Sequence, residues 1–477
     1  MMKKIISFIL VLCMALGLAA CGSSGGEAGG TTEPKGQFMA GFGVVDVTPK
    51  DSVPLDSYGD ARDRMSTGRY SNLEARAVVV QDENGDLLIF VTGDTTWISN
   101  ILGTQIRKDL SEELSIPETH IVLSGTHTHA SVATSLTDIP SVSKFNTKYV
   151  EGIKQAVRDA IADLKPAEVY VGRNMTEGMN FVRRYYMDDG SVCGDNFYGT
   201  GTKRVDYVTK ADGEVQLMRF VREGGKDILI SNFQAHPHLE GKTTNLSAQT
   251  VGSIRDAVEK QLGCHSLHWN GAAGNLNSNT SLAEDKIYTT EDRVKYGEDM
   301  VKKYISTVYD SLTKVETGPI KIADVTFTAR VNHSYDEIVS DAKKVQDYFK
   351  AGNDAQKTAE YAWQYGIHSY YHANRIVGNF SLPETNDMYL LAWSFGEVAG
   401  VVLPYEMYDS SGMTIKKESP FTRTFIVGYS WPSYSGYVPD ISGFDLGSYE
   451  ADNCTYERGT AELMVEQYLN LLNSMHG

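Results

Sequence analysis

From Gln37 onward, short apolar runs rich in β-formers alternate with stretches that carry apolar residues at helical spacing, with no repeat at a fixed period. That alternation predicts an α/β or α+β architecture in one large domain, with helices packed outside. Strands are expected over 41–47, 75–81 and 87–91, the last ending at Gly93-Asp94. Val150, Ile153, Val157, Ile161 and Leu164 share one face of a helix over 149–164, closed by Pro166. The same spacing predicts helices over 251–262 and 460–472. Residues 335–371 are polar and aromatic-bearing and read as helical, as an outer layer or lid.

The polar residues collect where strands end. An apolar run over 121–124 leads into His127 and His129, and another over 228–233 leads into His236 and His238. His268-Trp269 precedes Asn270 to Asn275, the run 398–403 reaches Glu406, and 425–428 opens onto Tyr429, Tyr434 and Tyr437. In α/β sheets, sites form at the carboxyl ends of strands. In an extended backbone, residues two apart face the same way, so each His-x-His pair could send both rings into one cavity. Neutral imidazoles with a carboxylate suit zinc. The alternative is four histidines satisfied in the core or at the surface. The chain holds only 11 histidines, and these two loops contain four of them.

Charge narrows the range of partners. The count of 44 Lys+Arg against 61 Asp+Glu leaves −17, with no long basic run, which argues against wrapping nucleic acid. Apolar residues at 41% and charged residues at 22% exclude a disordered chain.

Residues 1–20 read as a signal peptide: Lys3 and Lys4 precede an apolar segment too short to span a bilayer. Its end, Leu18-Ala19-Ala20-Cys21, resembles a bacterial lipobox, with Cys21 as the lipidated residue; a plain secretory signal is the alternative. Residues 21–38 read as a flexible Gly/Ser/Thr-rich tether, and 39–477 as the catalytic domain. The expected location is extracytoplasmic, on a bacterial membrane held by the lipid anchor. Cys193, Cys264 and Cys454 lack the spacing of a zinc knuckle or redox motif and read as structural or incidental.

Several segments in order resemble the neutral ceramidase family, of the neutral/alkaline non-lysosomal type. They include Gly41 to Pro49, Ala75-Arg76-Ala77, Gly93-Asp94, Gly125 to His129, Gln234 to Pro237, Gly274 to Asn279, Leu403 to Glu406 and Tyr434 to Tyr437. The family's separate C-terminal β-sandwich is not expected here. The resemblance implies one zinc ion held by His127, His236, Glu406 and Tyr437. It implies that His129 handles substrate or protons beside the metal, and that Asn180 and Arg183-Arg184 belong to a substrate loop, with Arg184 taken as catalytic. It also implies hydrolysis of an amide (N-acyl) bond in a small or lipid-like substrate.

One position departs from the family. Where family members carry a serine nucleophile, this chain has Asn277, followed by Ser278. An amide is not a hydroxyl-type nucleophile. Three readings follow. Metal-activated water attacks while Asn277 orients substrate or oxyanion; Ser278 substitutes after a one-residue shift; or the protein is a weakly active or inactive lipoprotein that binds a ligand or lipid in a retained zinc pocket. Asp94 is expected either to orient a histidine or to cap a loop. Tyr185, Tyr186, Tyr429 and Tyr434 are expected to line the pocket or to pack the core.

Overall fold

The computed structural model describes residues 36–194, 199–280, 282, 287–432 and 436–476. Cys21 and Tyr434 lie outside them. The long sheet grows from strand Met39–Asp46, which pairs antiparallel with Glu74–Gln81 from Met39↔Gln81 to Asp46↔Glu74. Beyond Glu74–Gln81 come Leu87–Gly93 and, parallel to it, Ile121–Gly125. On the other side lie Lys165–Met175, Glu214–Arg222, Ile228–Phe233 and, parallel again, His265–Asn270. A parallel step needs a crossover. Helices Asn100–Leu114 and Gln249–Leu262 supply the two.

Helix Pro140–Ala162 covers one face and buries Val142, Phe145, Ile153 and Val157 against Val79, Ile89 and Val91. It begins nine residues before the periodic run, because proline suits a first helical position and the early turns pack on only a few apolar residues. The strand beneath it admits the helix closely: a Cβ at Gly41 or Gly43 would strike the carbonyl oxygen of Ala160 or Ala156.

A second sheet, Ile320–Arg330, Thr385–Phe395, Val398–Val402 and Arg423–Val427, covers the opposite face. Phe90, Trp269, Trp393 and Phe425 interlock between the sheets, with Phe90 and Trp393 ring centroids 4.8 Å apart. Helix Thr460–His476 closes the outer side of this sheet. Phe38, the last residue of the expected tether, is instead buried in the inter-sheet core, its ring 5.4 Å from that of Phe395.

The chain beyond Val427 joins the two margins of the long sheet. The Gly428 N–H donates to the Asn270 carbonyl (2.8 Å), the Gly125 N–H donates to the Tyr429 carbonyl (2.9 Å), and the Trp431 N–H donates to the Leu123 carbonyl (2.8 Å). A side chain at 428 would strike the Gly271 carbonyl, so the close approach requires glycine. Strand ends 145 residues apart in sequence, at Gly125 and Asn270, thereby meet.

The stretch 335–371 is not one helix. Val339–Lys350, Ala355–Trp363 and Tyr370–Asn379 fold around their own small core of Ala342, Val345, Ala362, Ile367, Ala373 and Ile376. Gly352 and Gly366, both at positive φ, break the run, and Asp354 and Ser369 cap the helices that follow. Cys193, Cys264 and Cys454 are buried free thiols. Among the described residues, no helix is long and apolar enough to cross a membrane.

Candidate metal centre and pocket

His127 follows strand Ile121–Gly125 with φ at 63°, a left-handed conformation uncommon for a residue with a Cβ. The His127–His129 pair is therefore a turn and not the extended segment that the alternation suggested. The turn still brings the rings together, with the two Nε2 atoms 3.2 Å apart. Tyr429, also left-handed, stacks on the His127 ring at 3.8 Å.

The tautomers follow from the partners. His127 Nδ1 lies 3.2 Å from the Thr96 carbonyl oxygen, and His236 Nδ1 lies 2.9 Å from that of Ala273 and 3.0 Å from that of Leu276. A carbonyl only accepts, so each Nδ1 carries a proton, and a neutral ring then has its lone pair on Nε2. Both Nε2 atoms face Glu406 Oε2, at 3.4 Å from His127 and 3.1 Å from His236. Burial, reinforced by the Arg183 charge, lowers the His236 pKa to about 4, so the ring is neutral near pH 7. Two acceptors thus meet beside His127 Nε2 in a buried site, and His236 Nε2 and Glu406 Oε2 have no hydrogen-bond donor. That arrangement fits a divalent cation, which supplies the missing positive charge.

Glu406 and Tyr437 are partners across a two-residue parallel ladder, Glu406–Met407 with Tyr437–Val438. The Arg183 guanidinium lies 5.3 Å from the centre of the Tyr437 ring and pairs with Glu450 at 2.6 Å. Burial opposes its charge, but Tyr437 and Glu450 outweigh burial and hold it protonated. The His238 ring lies 4.8 Å from that of His129. Burial, followed by the neighbouring His238, keeps His129 well below its ordinary pKa.

This cluster forms the floor of an open pocket of about 1110 Å³, where His127, His129, Arg183, Asn277, Glu406 and Tyr437 are exposed to one space. Tyr58, Trp97, Phe349, Tyr370, Tyr371 and Arg375 raise its walls. Four sequence-derived readings change. Arg184 turns away: it donates to the Ser442 carbonyl at 3.1 Å and sits over Tyr408, whereas its neighbour Arg183 takes the pocket side. Asn180 donates to the carbonyls of Asp212 and Gln234 and pins a loop. Asp94 holds Arg255 through two bonds, at 2.9 and 2.7 Å, and orients no histidine. Ser278 is buried and is not among the residues lining the pocket, because successive residues of an extended segment point to opposite sides. Of the tyrosines, Tyr185 is buried against Tyr207 and Tyr186 is exposed. The walls from Tyr58 and from Phe349 to Arg375 carried no local signal, since neither segment has ligand-type residues in a strand-end pattern.

Fold and floor together define a mixed α/β scaffold that closes around a buried histidine–carboxylate cluster. Residues 38–279 match the neutral/alkaline non-lysosomal ceramidase N-terminal description, and the chain belongs to that family. It is similar to the neutral ceramidase of Oryza sativa subsp. japonica, 24% identical over 196 residues, which cover 39% of this chain and 24% of that protein. Neutral ceramidase B of Dictyostelium discoideum is 27% identical over 238 residues, covering 47% of this chain and 32% of that one. The matched part thus spans roughly a quarter to a third of these relatives. The neutral ceramidase of Pseudomonas aeruginosa shares the fold, with a TM-score of 0.68 at 15% identity over 92% of this chain and 74% of its own.

Proposed function

We propose that the chain is a zinc-dependent amidohydrolase that cleaves an N-acyl bond of a lipid-like substrate, anchored outside the cytoplasm through Cys21. The observation that carries the reading is the convergence of His236 Nε2 and Glu406 Oε2, neither with a donor, beside His127 Nε2. His127, His236, Glu406 and Tyr437 would hold the ion. When bound, the ion supplies Lewis acidity toward an amide carbonyl and makes water more acidic.

The chain's own residues do the rest. Arg183 brings a fixed positive charge beside Tyr437. Asn277 offers an amide N–H toward the carbonyl oxygen as it gains charge. His129 Nδ1 is buried without a partner, so it can take a proton from the attacking water and return it to the departing amine nitrogen. The aromatic walls keep bulk water from the reacting bond and give an acyl chain an apolar surface.

Asn277 favours a second reading, a tethered ligand-binding protein with little chemistry. One experiment separates the two: metal analysis and an N-acyl amide and ester panel on wild type, Glu406→Gln and EDTA-treated protein. Metal-dependent product that Glu406→Gln abolishes supports the enzyme. Ligand-dependent thermal stabilisation with no product over long incubation supports the binder. Membrane partition of wild type against Cys21→Ala tests the anchor.

A further inference from the structure

Helix Tyr370–Asn379 has two working faces. Tyr370 and Tyr371 border the main pocket, His372, Ile376 and Asn379 border a second cavity of about 60 Å³, and Arg375 lines both. His368, four residues before His372, lies against the same cavity, as does Asp452 at the end of the short helix Tyr449–Asp452.

We propose that His368, His372 and Asp452 form a second site for a divalent cation of the zinc class, separate from the pocket floor. One donor atom from each residue lies within 4.8 Å of the others. Asp452 Oδ1 is 2.9 Å from His368 Nδ1 and 3.8 Å from His372 Nδ1. Donors bound to zinc at about 2.0–2.2 Å stand roughly 3–3.5 Å apart, so shifts on the order of an ångström close the site. Ser369 Oγ donates to Asp452 Oδ2 at 2.8 Å, which turns Oδ1 toward the two rings. The His368 backbone N–H points at His372 Nδ1, at 3.2 Å, and metal binding must break that weak bond and displace the proton now shared by His368 Nδ1 and Asp452 Oδ1.

A simple ion pair needs one imidazole per carboxylate. A second imidazole, nearly buried and within 3.8 Å of the same oxygen, is what a metal site requires and a pair does not. A cavity of about 60 Å³ has room for water at the remaining positions. Two nitrogens and one carboxylate suit zinc and its transition-metal neighbours over calcium or magnesium.

Occupancy would pin the helical insert to the body of the fold behind one pocket wall. The Tyr371 ring meets Tyr449 at 4.9 Å, and Tyr449 meets Tyr437 at 5.5 Å. The wall and the pocket floor would therefore feel the ion through ring contacts.

The test counts metal. The full chain is stripped with EDTA, reloaded with Zn²⁺ or Co²⁺, and assayed for ions per chain, with the Co²⁺ visible spectrum as a second readout. Wild type should hold two ions. His236→Ala/Glu406→Gln should keep one, and its melting temperature should still rise with Zn²⁺. Adding His368→Ala, at a half-exposed residue that the core does not need, should remove that ion and that rise. Asp452→Asn should do the same in the same background. If the pocket floor takes no metal, wild type should hold one ion and His368→Ala none, so failure of the first site does not imitate failure of the second. The proposal is overturned if His236→Ala/Glu406→Gln binds no metal, or if His368→Ala in that background leaves the count unchanged.

Discussion

His236 and Asn277 are locked side by side in a parallel backbone bridge. The His236 N–H donates to the Leu276 carbonyl at 2.9 Å, and the Ser278 N–H donates to the His236 carbonyl at 3.3 Å. The residue in the family's serine position thus moves with a proposed metal ligand. The bridge places the Asn277 side chain, not that of Ser278, over the pocket floor. Asn277→Ala should therefore lower kcat/KM by about 10²–10³, the usual loss for one oxyanion donor, with metal content unchanged. Asn277→Asp keeps the shape, loses the N–H, and should fall as far. Ser278→Ala should leave the rate near wild type. Steady-state kinetics with paired metal analysis checks all three.

In the proposed mechanism His129 moves protons and His127 holds the ion, although donor atoms of both lie within 4.8 Å of one on His236. His129→Gln should lose roughly 10²–10⁴ in kcat while retaining metal. His127→Ala should lose both. Rate and metal content measured on the same preparations separate the two roles.

The adjacent arginines should divide cleanly. Arg183→Met removes the arginine beside Tyr437 in the pocket and should raise KM as well as lower kcat. Arg184→Met breaks contacts to Ser442 and should act on the melting temperature alone. A KM effect from Arg184→Met would contradict the placement.

Asp94 and Arg255 form a buried bidentate pair. Removing one partner of such a pair leaves an uncompensated charge and typically costs about 3–5 kcal/mol. Asp94→Asn should be destabilised on that scale in urea unfolding, with metal content per folded chain unchanged.

His268 carries a pH signature. Burial, followed by the Arg255 charge, drops its pKa from 6.5 to about 3, and its Nδ1 lies 2.8 Å from Ser231 Oγ. The folded value is below the unfolded one. As pH falls from 6.5 toward 3, the unfolded chain gains a proton that the folded chain refuses, and the stability tied to a neutral His268 is lost. Above 6.5 that stability is complete. His268→Gln should be less stable than wild type at pH 7, with the gap narrowing as pH drops toward 4 in urea titrations. A gap independent of pH would show that the ring is not neutral in the fold.

Local pattern carried much of the architecture. The strands near 41–47, 75–81 and 228–233 needed only apolar runs, and the helix at 251–262 needed only its spacing, because burial of one face is written into neighbouring residues. The insert at 335–371 was legible as helical but not as three helices, since its breaks rest on turn conformations at Gly352 and Gly366.

The candidate ligands were likewise legible as types at strand ends, and their order along the chain marked the family. Which of two adjacent residues faces the pocket was not, as Arg183 against Arg184 and Asn277 against Ser278 show. A side chain's direction depends on backbone torsion and pairing register, and at His127 that torsion is left-handed, outside what residue type predicts. What residue order alone determined was the set of donors and the elements that carry them. What the tertiary structure decided was their meeting: backbone bonds from Gly428 and Tyr429 to distant strands draw two sheet margins together, and contacts over such separations arise only when the whole chain packs.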